Sequence, residues 1–255
     1  MQSLVISLKK ATERRKHISN EFGKQNINYD FFDALTPDLA EPLAKKMGLN
    51  IQDQLLSKGE LACFMSHVSI WQKMVDEHIP YLAIFEDDVF LGENANIFLN
   101  DNSWIKNYWG VIKLEAFSRK VWLAKCSEKL NFNREIIQLK GRHVGGAGYI
   151  LSLSFAQYLL HLVKTIEVTE PLDHILFDPK YHQQLNLYQM NPALCIQSYL
   201  YDNSECFTSS LELQRIERRG FESSKRTFRD KIIREVKRLY SNILNVFCKK
   251  EVWFK

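Results

Sequence analysis

The sequence is poor in the residues that build flexible linkers and cross-linked scaffolds. Glycine occurs only 10 times and proline only 6 times in 255 residues, so long flexible linkers are not expected. The five cysteines are odd in number, widely spaced and without a C-x-x-C pair. This usage argues against a disulfide framework and a zinc knuckle, and it favours a reducing, cytoplasmic compartment.

Long hydrophobic runs are also lacking, since no apolar stretch approaches the roughly 20 residues needed to cross a bilayer. Residues 1–8 have no basic start and no small-residue cleavage site, so we expect no signal peptide. The chain is 45% apolar and 25% charged, which is ordinary globular composition. This composition excludes a disordered chain, a collagen and a coiled coil.

Positive charge is concentrated at the end of the chain. The net charge is +4, but residues 211–255 alone carry +7, so the rest is mildly acidic. Residues 226–247 combine apolar residues at helical spacing with arginines and lysines, which predicts a basic amphipathic helix. We therefore expect a body over residues 1–205 and a basic helical extension over residues 206–255.

The predicted helix has three open roles: peripheral attachment to the inner membrane leaflet, docking on the body, or pairing across a homodimer. Nucleic acid is not an expected partner, because the body is acidic and lacks a helix-turn-helix or ribonucleoprotein motif.

Predicted strands and helices interleave along the body, which indicates an α/β fold with a mainly parallel sheet flanked by helices. Thr12 is expected to cap the first helix, and Pro37 and Pro42 are expected to break residues 34–58. Residues 117–140 alternate weakly and suggest a hairpin. The predicted helices are 12–24, 59–78 and 154–164, and the predicted strands are 1–8, 29–32, 81–85, 109–114, 149–153 and 187–192.

Three consecutive carboxylates, Glu86, Asp87 and Asp88, directly follow the apolar run at 81–85. Adjacent carboxylates repel one another unless a cation is present, and a divalent metal with oxygen ligands satisfies that need. In open α/β sheets, ligands bind just outside the carboxyl ends of the strands. The trio therefore predicts a site for a metal–diphosphate, and the alternative is a solvated acidic turn.

Two polar pairs lie on predicted helices. Arg14 and Arg15 follow the end of the first strand, where backbone N–H groups and guanidinium groups attract anions. A solvated basic helix face is the alternative. Ser66 and His67 interrupt a mostly apolar helix, in which a lone histidine is more often a satisfied core residue than a ligand. Cys63 is expected to be buried packing.

Further candidates occur in the second half of the body. Gly146 lies in a glycine-rich turn that lets the backbone approach a sugar or phosphate, although it matches neither a Walker A loop nor a dinucleotide motif. Asp173 follows Pro171 and is a candidate general base, with a helix N-cap as the alternative. Gln197 is the one obvious functional polar group of residues 191–197.

Taken together, the segments I-S-L-x-x-A-x-E-R-R, G-E-L-A-C-F-M-S-H, F-E-D-D-V, G-A-G-Y-I-L-S, P-L-D-H-I-L-F-D and N-P-A-L-C-I-Q resemble glycosyltransferase family 25. The family includes bacterial lipooligosaccharide galactosyltransferases. The segments occur in the family's order and span residues 3–198, whereas the extension resembles no family.

The resemblance implies a GT-A-like fold and an inverting transfer of a hexose, most often galactose, from a UDP-sugar to a lipid-linked oligosaccharide. It implies Mn²⁺ or Mg²⁺ at Glu86, Asp87 and Asp88, although E-D-D in place of D-x-D leaves open which two bind the ion. Asp173 matches the expected base. The residues expected on the donor side are Arg14, Arg15, Ser66, His67, Gly146 and Gln197.

Two other functions use the same features. A metal-dependent nucleotidyl- or phosphoryl transferase would employ the same acidic trio and basic start, but it would turn over a nucleoside triphosphate. A nucleic-acid-binding protein would rely on the basic extension, and its affinity would depend steeply on salt.

Overall fold

A large mixed β-sheet with helices on its faces forms the centre of the protein. The computed structural model describes residues 1–52, 55–117, 120–182, 187–201 and 249–255. The helices are α1 (Thr12–Gly23), α2 (Pro37–Lys46), α3 (Lys58–Asp76), α4 (Ala95–Leu99), α5 (Leu153–Thr165), α6 (Leu172–Phe177) and α7 (Ser198–Tyr201). The strands are β1 (Gln2–Ser7), β2 (Asp30–Asp33), β3 (Asn50–Ile51), β4 (Tyr81–Glu86), β5 (Val89–Leu91), β6 (Val111–Lys113), β7 (Glu115–Ala116), β8 (Lys120–Lys129), β9 (Glu135–Leu139), β10 (Gly148–Ser152), β11 (Glu167–Val168), β12 (Leu187–Asn191), β13 (Cys195–Gln197) and β14 (Lys249–Glu251).

The strand order of the large sheet is β14-β8-β9-β12-β6-β10-β4-β1-β2. The α/β class is confirmed, but the expectation of a mainly parallel sheet is wrong. Strand β1 is parallel to β2 and β4, and β6 is parallel to β12, whereas the other pairings are antiparallel. After the glycine-rich turn, Gly148 at the start of β10 pairs with Phe85, near the carboxyl end of β4. Strand β10 therefore runs back along β4 in the opposite direction.

A small sheet of order β5-β13-β7 lies beside the carboxyl end of β4. Gln197 on β13 pairs with Val89 on β5, and Cys195 pairs with Glu115 on β7. This sheet brings residues from three distant parts of the sequence next to the acidic trio.

Helix α3 packs its apolar face against the sheet, and its bounds lie close to the predicted range 59–78. Ser57 and Glu60 form a capping box, in which each side chain accepts a hydrogen bond from the backbone N–H of the other residue. Phe64, Val68 and Trp71 on this helix are fully buried. The capped start fixes the helix that carries Ser66 and His67.

The structure corrects two expectations about helix ends. Residue Ala11, not Thr12, occupies the N-cap of α1, and it makes no side-chain cap. Pro37 begins helix α2 instead of breaking the chain, because the first helical position needs no bonded N–H. Pro42 lies inside the same helix. The predicted hairpin over residues 117–140 is confirmed by the antiparallel pairing of β8 with β9.

The last seven residues belong to the sheet domain. Strand β14 pairs with β8, Val252 is buried, and Arg134 Nη2 donates to the Lys255 carbonyl at 2.5 Å. Residues 249–255 fall inside the predicted extension over 206–255, and an apolar side chain and main-chain bonds hold them on the body. The predicted helix at 226–247 lies outside the described residues. Within the described ranges, no helix has the length and apolar character to cross a membrane.

Candidate active site

A cleft of about 530 Å³ opens at the carboxyl ends of the parallel strands β1 and β4. Open α/β sheets bind ligands at this position, because the loops that follow the strands diverge there. The residues that line the cleft include Ile6, Ser7, Leu8, Arg14, Leu35, Pro37, Lys58, Gly59, Cys63, Ser66, Glu86, Asp87 and Asp88.

The acidic trio occupies the floor of this cleft. Glu86 ends β4, and Asp87 and Asp88 form the turn into β5. Asp87 is 7% exposed and Asp88 is 3% exposed, so these two aspartates do not form a solvated acidic turn, whereas the Glu86 side chain is 29% exposed. Buried carboxylates require cations or hydrogen-bond donors, and the surrounding residues supply both.

Asp87 is bound by two donors. Arg14 Nη1 donates to Asp87 Oδ1 at 2.7 Å, and Ser7 Oγ donates to Asp87 Oδ2 at 2.7 Å. Arg14 Nη1 also lies 3.9 Å from Asp88 Oδ2. Both oxygens of Asp87 therefore have partners within the protein, and Arg14 places a positive charge at the wall of the cleft.

Gln197 reaches the other two carboxylates from β13. Its Nε2 lies 3.2 Å from Glu86 Oε2 and 3.3 Å from Asp88 Oδ1. Burial raises the pKa of Asp88 to about 6, and the charges of Asp87 and Glu115 act in the same direction, against Arg14 and the Gln197 hydrogen bond. The Asp88 carboxylate is thus costly to keep ionised without a further positive charge.

The residues around Gln197 fit a hard divalent cation. Glu86 and Asp88 present carboxylate oxygens that converge on one amide group. Oxygen ligands of this kind suit Mg²⁺ and Mn²⁺. A rotation of the Gln197 amide would exchange its nitrogen for its oxygen at the same place and add a third oxygen ligand.

A network of buried charges holds the glycine-rich turn. Gly145 N donates to Asp173 Oδ2 at 2.8 Å, and Ala147 N donates to Glu115 Oε2 at 3.1 Å. Lys113 Nζ donates to the same Glu115 oxygen at 2.7 Å and also to the Gly145 carbonyl. Gly145 has φ +92°, a conformation that glycine adopts without strain. The turn is therefore fixed by three side chains.

Asp173 belongs to this network and is not a helix cap. Pro171 occupies the N-cap of α6, and Asp173 lies in the first turn with its carboxylate on Gly145 N. Gly146 lies next to it, because a Cβ on Gly146 would be 3.9 Å from Asp173 Cβ. Asp173 and Gly146 are not among the described residues that line the cleft.

Ser66 and His67 face different surroundings. Ser66 Oγ accepts from Leu35 N at 2.9 Å and donates to the Ala62 carbonyl at 2.7 Å, so it anchors a loop of the cleft. His67 is fully buried behind the cleft, and its Nδ1 lies 2.8 Å from the Tyr149 hydroxyl. Burial lowers the pKa of His67 to about 3, although the charge of Asp173 opposes this shift, so the ring is neutral at pH 7.

Arg15 is directed away from the cleft. It donates to the Ser7 carbonyl at 3.0 Å, pairs with Asp33 and lies over the Phe31 ring. It therefore joins the ends of β1 and β2, whereas the neighbouring Arg14 faces the trio.

Sequence reasoning missed four residues of this region: Ser7, Cys63, Lys113 and Glu115. Cys63 is half-buried and lines the cleft, so the expectation of buried packing is wrong. Lys113 and Glu115 are both fully buried. In the sequence, the one indication of their burial is that they lie in an otherwise apolar segment.

Comparison with known proteins identifies the family. A sequence model described as glycosyltransferase family 25 (LPS biosynthesis protein) matches residues 1–176. The chain belongs to glycosyltransferase family 25. The match contains the acidic trio, Arg14, the Ser66–His67 pair and Asp173, and it ends before Gln197.

The chain is similar to proteins from Haemophilus and Neisseria. The chain is 33% identical to the lipooligosaccharide biosynthesis protein lex-1 of Haemophilus influenzae, over 98% of this chain and 93% of that protein. It is 38% identical to the lacto-N-neotetraose biosynthesis glycosyltransferase LgtE of Neisseria meningitidis, over 79% of this chain and 75% of that protein. It is 33% identical to LgtB of the same species, over 94% and 92%.

Proposed function

We propose that this glycosyltransferase moves a hexose, with galactose as the first candidate, from a UDP-sugar to a hydroxyl of a lipooligosaccharide acceptor, with inversion and with metal assistance. The observation that carries the proposal is the convergence of Glu86, Asp87 and Asp88 in one cleft at the strand ends, with both aspartates buried, beside Arg14 and Gln197. A cluster of carboxylates in a cleft, with the Arg14 guanidinium beside it, suits a ligand that arrives as a metal–diphosphate.

The metal would be held by Asp88 and Glu86. Asp87 already accepts from Arg14 and Ser7 through both oxygens, whereas Glu86 Oε2 and Asp88 share the Gln197 amide. When bound, Mn²⁺ or Mg²⁺ supplies positive charge that stabilises the departing diphosphate. The residues of the chain that act beside it are Arg14, which offers a guanidinium to the phosphates, and Gln197, which orients the two carboxylates.

The acceptor hydroxyl must lose a proton as it attacks the sugar, and we propose Asp173 as the base. Asp173 Oδ2 accepts from Gly145 N, which leaves Oδ1 to take the proton. Asp173 lies next to the fixed glycine-rich turn, whose backbone can approach a sugar closely, and this supports the proposal. Substitution of Asp173 by asparagine separates this role from a purely structural one.

A lipooligosaccharide acceptor is proposed because several relatives are named for lipooligosaccharide or lacto-N-neotetraose biosynthesis. Such an acceptor is anchored in a membrane, so we propose a cytoplasmic protein that works at the inner leaflet. The positive charge of residues 211–255 favours an anionic lipid surface at this place.

The proposal is tested by incubating the purified protein with UDP-galactose, UDP-glucose and CTP, each with Mn²⁺ or with EDTA. We expect slow release of UDP from one UDP-sugar with Mn²⁺ and none with EDTA. Equal release with EDTA would contradict metal assistance, and turnover of CTP alone would favour a nucleotidyltransferase.

A further inference from the structure

A second group of metal-binding side chains lies in the wall of the cleft, next to the acidic trio. Cys63, His67 and Glu86 each offer one ligand atom, and these atoms lie within 4.8 Å of one another. We propose that these three side chains form a site for a borderline divalent cation of the Zn²⁺ type. This site is distinct from the oxygen ligands around Asp88, with which it shares only Glu86.

The local fold explains why the three residues converge. Cys63 and His67 are four residues apart on α3, so they project from the same face of the helix. Glu86 is the last residue of β4, and its two oxygens face different groups. Oε1 lies near Cys63 and His67, whereas Oε2 accepts from Gln197.

His67 supplies the observation that points to a ligand. Its ring is fully buried, and its Nε2 has no hydrogen-bond partner within the part of the chain that the structure describes, with Glu86 Oε1 4.0 Å away. Trp71 Nε1 donates to the Tyr149 hydroxyl at 3.1 Å, and in one tautomer of His67 this hydroxyl donates its own proton to Nδ1. In that tautomer the ring proton lies on Nε2 and finds no acceptor among the described residues, an arrangement that proteins avoid.

A cation relieves this arrangement. Binding at His67 Nε2 replaces the unpartnered proton, and Nδ1 then carries the ring proton and donates it to Tyr149, as histidine ligands commonly do to an outer partner. Cys63 and Glu86 line the cleft, so a further coordination position faces the solvent side. Three protein ligands with one open position are typical of zinc sites that also bind a water or a substrate atom.

The distances fit such an ion after a small contraction. Cys63 Sγ lies 3.9 Å and His67 Nε2 lies 4.0 Å from Glu86 Oε1. Bonds of about 2.0–2.3 Å in a tetrahedron place ligand atoms roughly 3.3–3.7 Å apart. Small rotations of the half-buried Cys63 and Glu86 side chains, which move their ligand atoms by a few tenths of an ångström, would bring the observed distances to these values.

The ligand types distinguish the two neighbouring sites. A thiolate with an imidazole selects Zn²⁺ or Co²⁺, whereas carboxylates and an amide oxygen suit Mn²⁺ and Mg²⁺. Because Glu86 belongs to both sets, we expect an ion on Cys63 to restrict the carboxylate that Asp88 needs. Zn²⁺ is therefore expected to lower the affinity for Mn²⁺.

Co²⁺ is the probe, because a thiolate bound to Co²⁺ gives a charge-transfer absorption band in the near ultraviolet. The full chain with Cys206→Ser and Cys248→Ser is titrated with Co²⁺ alone, so that neither of these two cysteines contributes to the band. We expect one Co²⁺ per chain with this band, displacement by Zn²⁺, and no displacement by excess Mg²⁺. The matched control Cys126→Ser alters an exposed cysteine and should retain the band.

Cys63→Ser should abolish the band, and Glu86→Gln and His67→Gln should each weaken Co²⁺ binding by about ten-fold or more. Because His67 is buried against Tyr149, His67→Gln is interpreted only if its circular dichroism spectrum matches that of the parent. If the spectrum differs, Cys63→Ser and Glu86→Gln alone test the site. Absence of a band in the parent chain, or a band retained by Cys63→Ser, would overturn the proposal. Neither result bears on transfer from a UDP-sugar with Mn²⁺.

Discussion

Arg14 Nη1 donates to Asp87 Oδ1 at 2.7 Å and thereby joins the first turn of α1 to the turn that follows β4. This ion pair is mostly shielded from water, since the Arg14 side chain is 26% exposed and that of Asp87 is 11% exposed. The two residues are 73 positions apart in the sequence. Their contact holds the Arg14 guanidinium beside the carboxylates of the cleft.

Arg14→Ala leaves the Asp87 carboxylate without its cation. We expect the free energy of unfolding to fall by about 1–3 kcal/mol, and the affinity for UDP with Mn²⁺ to fall by about ten-fold or more. Urea denaturation and calorimetric titration measure the two effects. Arg15→Ala is the matched control, because Arg15 pairs with Asp33 and should affect stability without affecting UDP affinity. Equal losses of UDP affinity in both variants would contradict this assignment.

Asp88→Asn should stabilise the metal-free protein while removing its activity. Burial raises the pKa of Asp88 to about 6 from an ordinary value of 3.8, so the folded state binds this proton more tightly than the unfolded state. Stability therefore falls as pH rises from about 4 to about 6, by roughly 3 kcal/mol, and the loss persists at pH 7. Asn keeps an oxygen for Gln197 and carries no charge.

The stability of both proteins is measured by urea denaturation in EDTA between pH 4 and pH 7. The difference between Asp88→Asn and the parent should grow over this range. A difference that is constant with pH would show that Asp88 titrates near its ordinary value.

Lys113→Met breaks a buried ion pair that supports the glycine-rich turn. Both Lys113 and Glu115 are fully buried, 2.7 Å apart, so the variant leaves an uncompensated carboxylate. We expect a loss of about 3–5 kcal/mol in the free energy of unfolding. Lys106→Met is the control, because Lys106 pairs with Glu128 at the surface, where solvent screens the pair, and its loss should cost much less stability. Similar small losses would contradict a supporting role for Lys113.

Asp173→Asn distinguishes a base from a structural residue. A base is needed only for attack by the acceptor, so turnover should fall by about 100-fold or more while UDP affinity stays within about two-fold. Asn retains an oxygen that can accept from Gly145 N. Steady-state kinetics and UDP titration measure the two quantities. Parallel loss of UDP affinity would assign Asp173 to the support of the turn instead.

The position of the trio at the carboxyl end of a strand could be predicted from the sequence, because the signal is local. An apolar run is followed directly by three carboxylates. Gln197 could be selected as the one polar group of an apolar segment. The different directions of Arg14 and Arg15 follow from helix geometry, since adjacent residues do not share a face. The sequence pair alone did not indicate which of them faces the site.

Other features depend on contacts between distant segments. The direction of β10 is set by its pairing with the end of β4, which no local pattern encodes. Lys113 and Glu115 resemble surface positions in a strand, and only the packing around them reveals a buried pair. The pairing of β14 with β8 likewise joins residues more than 100 positions apart.

Calorimetric titration of UDP with and without Mn²⁺, on the parent chain and on Asp88→Asn, tests the central claim most directly. Asp76→Asn, which makes the same change on the exposed end of α3, is the matched control. The account predicts that UDP binds the parent and Asp76→Asn only with Mn²⁺, and that Asp88→Asn loses this binding. If Asp88→Asn binds UDP as tightly as the parent does, or if the affinity of the parent for UDP is the same with and without Mn²⁺, a metal–diphosphate site at the acidic trio is contradicted.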